Sequence, residues 1–324
     1  MLTLILFVAG VLLTAVVMAF FGFGEVVGVV GGADLFYVVL AGAMQVAILL
    51  LLALRMQLIS TKFGAKVRFL EAFKISMTGI AISLLTPIAK VGGEPLKIYL
   101  LKKRSSLEAS RATAVIAVDT LAELASSLLV VFLIFLVFAK EIPGNIFSSF
   151  VVFLIIVTAI IAGLLRVLTD KRLMRRIVEW SSRKIAKYSH VKKRDYASLF
   201  YEAFTLVLKD VKIVTGAFSL SVLMKIIEFS RMWLVFAAIG VFLPADVVVI
   251  LWAVILVLYM IPWLPGSLGL VEFFGAGLLV FFGLTSSSAA GGILIDRLVS
   301  FWLVLVLGLL IASTMPLPKR MKKK

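Results

Sequence analysis

The sequence predicts an all-α polytopic membrane protein: an inverted repeat of two halves, each with spanning helices and one re-entrant or broken helical hairpin. Three observations predict it. First, 63% of the 324 residues are hydrophobic, only 15% are charged and the mean hydropathy is +1.18, more apolar side chain than a soluble core of this size can hide. Second, 29 of the 33 Lys and Arg fall within residues 55–74, 90–111, 166–212 and 319–324, the clustering beside apolar spans expected of cytoplasmic loops. That placement argues against nucleic acid as the partner of a chain with net charge +16. Third, two proline–glycine breaks interrupt apolar segments that are too short to cross comfortably.

A span needs about 20 apolar residues, which allows each element to be taken in order. Residues 2–24 carry no charge and read as a helix rather than a signal peptide, since no basic segment precedes them. Residues 25–34 hold two acids and no base, an outside loop, and residues 35–55 return inward. Residues 70–85 are short and end at Thr86-Pro87-Ile88-Ala89-Lys90-Val91-Gly92-Gly93-Glu94-Pro95, followed by further bases. Sixteen residues rise about 24 Å, but a crossing would strand those bases outside, so the charges favour a hairpin entered and left from the cytoplasmic face.

Residues 109–139 then cross outward and 146–165 return. The stretch 166–212 sets 13 bases against five acids. Within it Leu173, Met174, Ile177, Val178 and Ile185 share one helical face beside Trp180, the pattern of an amphipathic helix on the inner leaflet; a solvated basic loop is the alternative. Residues 213–240 cross outward. Residues 247–261 and 271–284, joined by Pro262-Trp263-Leu264-Pro265-Gly266-Ser267-Leu268-Gly269, form a second hairpin from outside, and 290–315 cross inward to a basic tail. The result is one transmembrane domain over 1–324: repeat 1 at about 1–140, repeat 2 at about 146–316 and a tail at 317–324. The expected location is the plasma membrane, with both termini cytoplasmic.

Local spacing supports the repeat. Pro87 precedes Glu94 by seven residues, as Pro265 precedes Glu272; Glu94 precedes Asp119 by 25 and Glu272 precedes Asp296 by 24. Inverted repeats with broken helices place a transport site near the bilayer midplane. Freed backbone groups at such breaks must be buried in protein or line a wet cavity. At the first, Gly92-Gly93 permits a sharp turn, Pro95 suits a helix start, and the N–H groups of that start, with Lys90 and Lys97, suit an anion such as a lipid phosphate. Glu94 is placed to pair with a lysine or a cationic headgroup. An interfacial turn with snorkelling lysines is the bland alternative. The second break, with Pro265, Gly266, Ser267 and Gly269, carries Glu272 as its only charge and reads as an outer gate, or as a plain turn.

Ionisable residues within spans are costly, about 2.5–3.5 kcal/mol each by insertion scales, and therefore informative. Asp119 and Glu123 share a face, Lys225, Glu228 and Arg231 share another, and Asp296 and Arg297 diverge around their helix. They form an intramembrane charge network, read either as a transport path or as ion pairs that hold the bundle. No cysteine is present, and the single histidine, His190, lies among bases. Thiol chemistry is excluded, histidine catalysis is disfavoured, and no metal or other cofactor is expected.

GGEPLKIYLLKK, LPGSLGLVE and ILIDRLVSF resemble the flippase-like transmembrane domain of the lysylphosphatidylglycerol synthase family, whose stand-alone members are uncharacterised membrane proteins. The resemblance covers essentially the whole chain. It implies two inward-facing broken hairpins and translocation of a phospholipid, such as an aminoacylated phosphatidylglycerol, between leaflets. By motif it assigns Gly92, Gly93 and Glu94 to the first hairpin, Pro265, Gly266, Gly269 and Glu272 to the second, and Asp296-Arg297 to an acidic–arginine pair. The first half departs: Thr120, not arginine, follows Asp119.

The leading expectation is a lipid translocase, not an enzyme, moving a phospholipid or polyprenyl-phosphate lipid through a polar cavity between the hairpins. Synthesis of that lipid is not expected, since no aminoacyl-transferase domain is seen. The alternatives are an ion-coupled small-solute transporter using Asp119, Glu123 and Glu228, and a membrane scaffold for a soluble synthase or glycosyltransferase partner. Membrane lipids with anionic headgroups are the expected partners.

Overall fold

The computed structural model describes residues 2–86, 92–105, 107–138, 193–260 and 264–316, with isolated positions between 155 and 176. Lys90, the span expected at 146–165, His190 and the basic tail lie wholly or largely outside them. Among the described residues all regular structure is helical: α1 Leu2–Phe20, α2 Phe23–Gly31, α3 Leu35–Thr61, α4 Phe69–Leu85, α5 Glu94–Arg104, α6 Ala109–Phe138, α7 Lys193–Leu208, α8 Val211–Ala237, α9 Ala245–Met260, α10 Leu270–Phe281, α11 Ser286–Arg297 and α12 Leu303–Ser313. A single 3₁₀ turn, Pro265–Ser267, precedes α10, and a π-helical turn, Leu298–Trp302, joins α11 to α12.

Among the described residues four helices are long and apolar enough to cross a membrane: Leu35–Thr61, Ala109–Leu133, Val211–Ala237 and the joined Ser286–Ser313. A bent pair, Ile5–Phe20 with Phe23–Gly31, makes up to five. That pair corrects the reading of residues 2–24 as one helix and 25–34 as a loop. The chain turns by 94° at Gly22, whose φ of +91° is open to glycine at little cost, and continues as α2. Apolar composition could not reveal the turn, because α1 and α2 are both apolar.

The chain divides into two compact units, Met1–Ala53 with Leu70–Leu100 and Met224–Lys324, and Leu54–Phe69 with Leu101–Leu223. These interleave along the chain rather than following its two halves. In the first unit, α2 packs on α11 so closely that a Cβ on Gly291 would meet Val29. Ala41, Leu234, Val235 and Ile295 form one core cluster, and Leu49, Met77 and Val304 another. A third joins Ala81 of α4 to Leu268, Phe301 and Leu305, with Leu84 and Leu85 packed against it. The ends of both interrupted segments thus meet in one apolar cluster. In the second unit, α7 buries Phe200, Ala203, Phe204 and Val207 and packs on α6. Part of the basic stretch 166–212 is therefore a docked helix, which the density of charge had concealed.

Candidate functional site

The first break is built by close backbone approach. A Cβ on Gly93 would collide with the carbonyl oxygen of Gly79, and one on Gly79 with the stem of Lys97. Two glycines therefore let α4 and α5 touch, and the Lys97 side chain lies in the groove they leave. The Gly93 N–H donates to Ser83 Oγ at 2.8 Å, and Lys97 Nζ donates to Glu94 Oε1 at 3.0 Å. Part of the donor set expected to face an anion is thus satisfied internally, and Lys97 is neutralised by Glu94 one turn away. Lys90 lies outside the described residues.

The second break is held by Arg297. Its Nε donates to Glu272 Oε1 at 2.9 Å, Nη1 to the Tyr259 hydroxyl at 2.7 Å and Nη2 to the Gly266 carbonyl at 2.8 Å. The Phe301 ring lies 4.6 Å from the guanidinium carbon, within cation–π range. Glu272 Oε2 accepts the Gly269 N–H at 2.6 Å, and Ser267 Oγ donates to the Leu258 carbonyl at 3.0 Å. Gly266 has φ +58° and its Cβ position is filled by Phe301; Gly269 has φ +83° and faces Leu13. A fully buried ion pair thus takes up a carbonyl and an N–H that the interruption frees, as burial in protein requires. Both Glu272 and Arg297 have no exposed surface, so they brace this break.

Two further arginines organise the remaining charges. Arg55, read from sequence only as the end of a span, donates from Nε to Asp119 Oδ1 at 2.6 Å and from Nη1 to Glu123 Oε2 at 2.8 Å and Ser221 Oγ at 2.6 Å. All four lie in the second unit. In the first, Arg231 Nη1 donates to Asp296 Oδ1 at 2.5 Å. Lys225 Nζ and Trp252 Nε1 both donate to Glu228 Oε2 at 3.2 Å. Asp119 with Glu123 reach one guanidinium, whereas Asp296 and Arg297 take different partners. Arg55, Ser221, Tyr259, Trp252 and Ser83 were not among the expected site residues. The available signal for Arg55 was that residues 56–60 continue largely apolar past it, which places it inside the helix.

The model of the lysylphosphatidylglycerol synthase TM region matches residues 7–308. The chain belongs to that family. Proteins similar to this chain include UPF0104 membrane proteins. One from Methanothermobacter thermautotrophicus is 28% identical over 94% of this chain and 93% of its own length. One from Methanocaldococcus jannaschii is 25% identical over 94% and 92%, and one from Pyrococcus horikoshii 22% identical over 94% of both. The family match agrees with the apolar helices: this is a multi-pass membrane protein.

Proposed function

We propose that the protein is a lipid translocase rather than an enzyme, carrying an anionic or zwitterionic headgroup between leaflets while the tails stay in the bilayer. The observation that carries the reading is the convergence of the two interrupted segments: Ala81, Leu84 and Leu85 on one side and Leu268 on the other share one cluster. Interrupted helices that meet in this way are the usual wall of a midplane transport path. The hairpins are re-entrant in this reading, both termini are cytoplasmic and the membrane is the plasma membrane. The phospholipid or polyprenyl-phosphate lipid is collected by the basic inner-leaflet surface. A soluble synthase or glycosyltransferase would supply or consume it.

An internal repeat underlies the path, and helix register supports it. Arg55 and Arg231 are each the twenty-first residue of a 27-residue helix. Asp119 and Asp296 are each the eleventh residue of theirs. Each arginine pairs with the aspartate of its own half, at sequence separations of 64 and 65.

Reconstitution in vesicles with fluorescent phosphatidylglycerol, its aminoacyl form and a polyprenyl phosphate tests the proposal. Accelerated loss of the inner-leaflet signal to a membrane-impermeant quencher is expected for at least one lipid. Rates equal to protein-free vesicles for all three would refute it. A second reading, an ion-coupled solute transporter, draws on Glu123 and Glu228, whose side chains are 25% and 23% exposed. It requires solute uptake driven by a pH gradient and lost in Glu228→Gln.

A further inference from the structure

We infer that Arg231 is an oxyanion-binding residue, its Nε–H presented to a phosphate-type oxygen. The residue is 5% exposed, and among the described residues its one hydrogen bond runs from Nη1 to Asp296. Among the described residues its buried Nε has no hydrogen-bond partner. A buried guanidinium N–H without an acceptor forfeits hydration for nothing, and native proteins keep few such groups.

Arg55 occupies the corresponding register and shows what is different. Its Nε is taken by Asp119 and its Nη1 by Glu123 and Ser221. Glu123 stands four residues after Asp119; four residues after Asp296 stands Ser300. The Ser300 hydroxyl turns to Asp296 and donates to Oδ2 at 3.1 Å. Arg55 therefore faces two carboxylates and Arg231 one. The nearest charges on the same helix face do not make up the difference, because Glu228 is engaged by Lys225 and Trp252. An added anion at Arg231 restores the count of negative groups that surrounds Arg55.

The chemistry selects the ligand class. A guanidinium N–H wants a charged oxygen acceptor, so a phosphate monoester, phosphodiester or free phosphate fits, and an ammonium or a metal cation does not. The inference deepens the translocase reading, on which the lipid source of that oxyanion rests; the donor itself stands on the geometry alone.

The test is equilibrium binding to the purified full chain in detergent, with short-chain phosphatidylglycerol, the matching diacylglycerol and inorganic phosphate as probes. Phosphatidylglycerol is expected to bind at least tenfold more tightly than diacylglycerol. Arg231→Lys keeps the charge opposite Asp296 but lacks the Nε donor, and is expected to lose about tenfold, the worth of one charge-assisted hydrogen bond. Ser300→Glu supplies an internal carboxylate and is expected to weaken binding similarly, while Gly277→Ala, where a Cβ meets nothing, leaves it unchanged. Displacement by millimolar phosphate assigns the site to a free oxyanion, and failure to displace assigns it to a lipid headgroup; either keeps the proposal. Equal binding of phosphatidylglycerol and diacylglycerol by the unaltered chain, with no phosphate binding, overturns it. So does unchanged binding in Ser300→Glu, whatever the folding of Arg231→Lys. Because binding is read without leaflet exchange, a protein that binds but does not translocate sinks only the translocase reading.

Discussion

Replacing Arg297 by leucine is expected to loosen the second break without touching any exposed surface. Arg297→Leu leaves the Glu272 carboxylate buried without its cation, a loss of about 3–5 kcal/mol when one partner of a buried pair is removed. It also strips the Gly266 carbonyl and the Tyr259 hydroxyl of the donors that reach them at 2.8 and 2.7 Å, which adds to the cost. At about 2 °C per kcal/mol for a large domain, the apparent melting temperature in detergent should fall by about 6–10 °C. Glu272→Leu with Arg297→Leu removes the uncompensated charge and should recover most of that loss, since apolar replacements of whole buried pairs are often near neutral. Fluorescence-detected gel filtration after heating reads both variants. An Arg297→Leu melt within about 2 °C of the parent, or a double variant worse than the single, would refute the assignment of this pair as the brace of the break.

Further expectations concern packing and charge. Gly93→Ala drives a methyl into the Gly79 carbonyl, where backbone cannot yield. It should part α4 from α5, lowering the melting temperature and the exchange rate together. Gly266→Ala combines a φ of +58° with the Phe301 ring and is expected to cost about 1–2 kcal/mol from the left-handed backbone alone, read as a lower melting temperature than Gly277→Ala, where a Cβ meets nothing. The Lys62 ammonium, donating at 2.6 Å, and the Ile213 N–H hold the Asp210 carboxyl below its usual range. A depressed carboxyl stabilises the fold above its unfolded pKa of about 3.9. That contribution is lost as pH falls through the lower folded value. The melting temperature should therefore drop on acidification below about pH 4, and Asp210→Asn should flatten the drop.

The spans and their breaks could be read from composition and charge because lipid and water sort residues so strongly. Helices α3, α6 and α8 and the joined α11–α12 follow from apolar length, and Pro265-Gly266 announced its turn through residues that cannot continue a helix. The charge partners were less legible. Nothing local says that Arg55 meets Asp119 across 64 residues, since side-chain periodicity reports a face and not what covers it. Arg297 was visible as one half of an acidic–arginine pair, yet its partner is Glu272, because neighbouring residues point about 100° apart around a helix. The Gly22 bend escaped because a glycine among apolar residues reads equally as helix interior. Helix α7 escaped because its bases outweighed the apolar face that it buries.

The proposed route between the two interrupted segments is tested most directly by thiol accessibility, since the chain has no cysteine. A cysteine placed singly at Glu94, Ala81 or Ser287 is treated with a membrane-impermeant maleimide in inside-out and right-side-out vesicles. The translocase account expects Glu94→Cys to label only from the cytoplasmic side, Ser287→Cys only from outside, and Ala81→Cys from neither. Labelling of Glu94→Cys from outside, or of Ala81→Cys from both sides, would mean that the first segment crosses the bilayer or that the cluster it ends in is not membrane interior, and either contradicts the account.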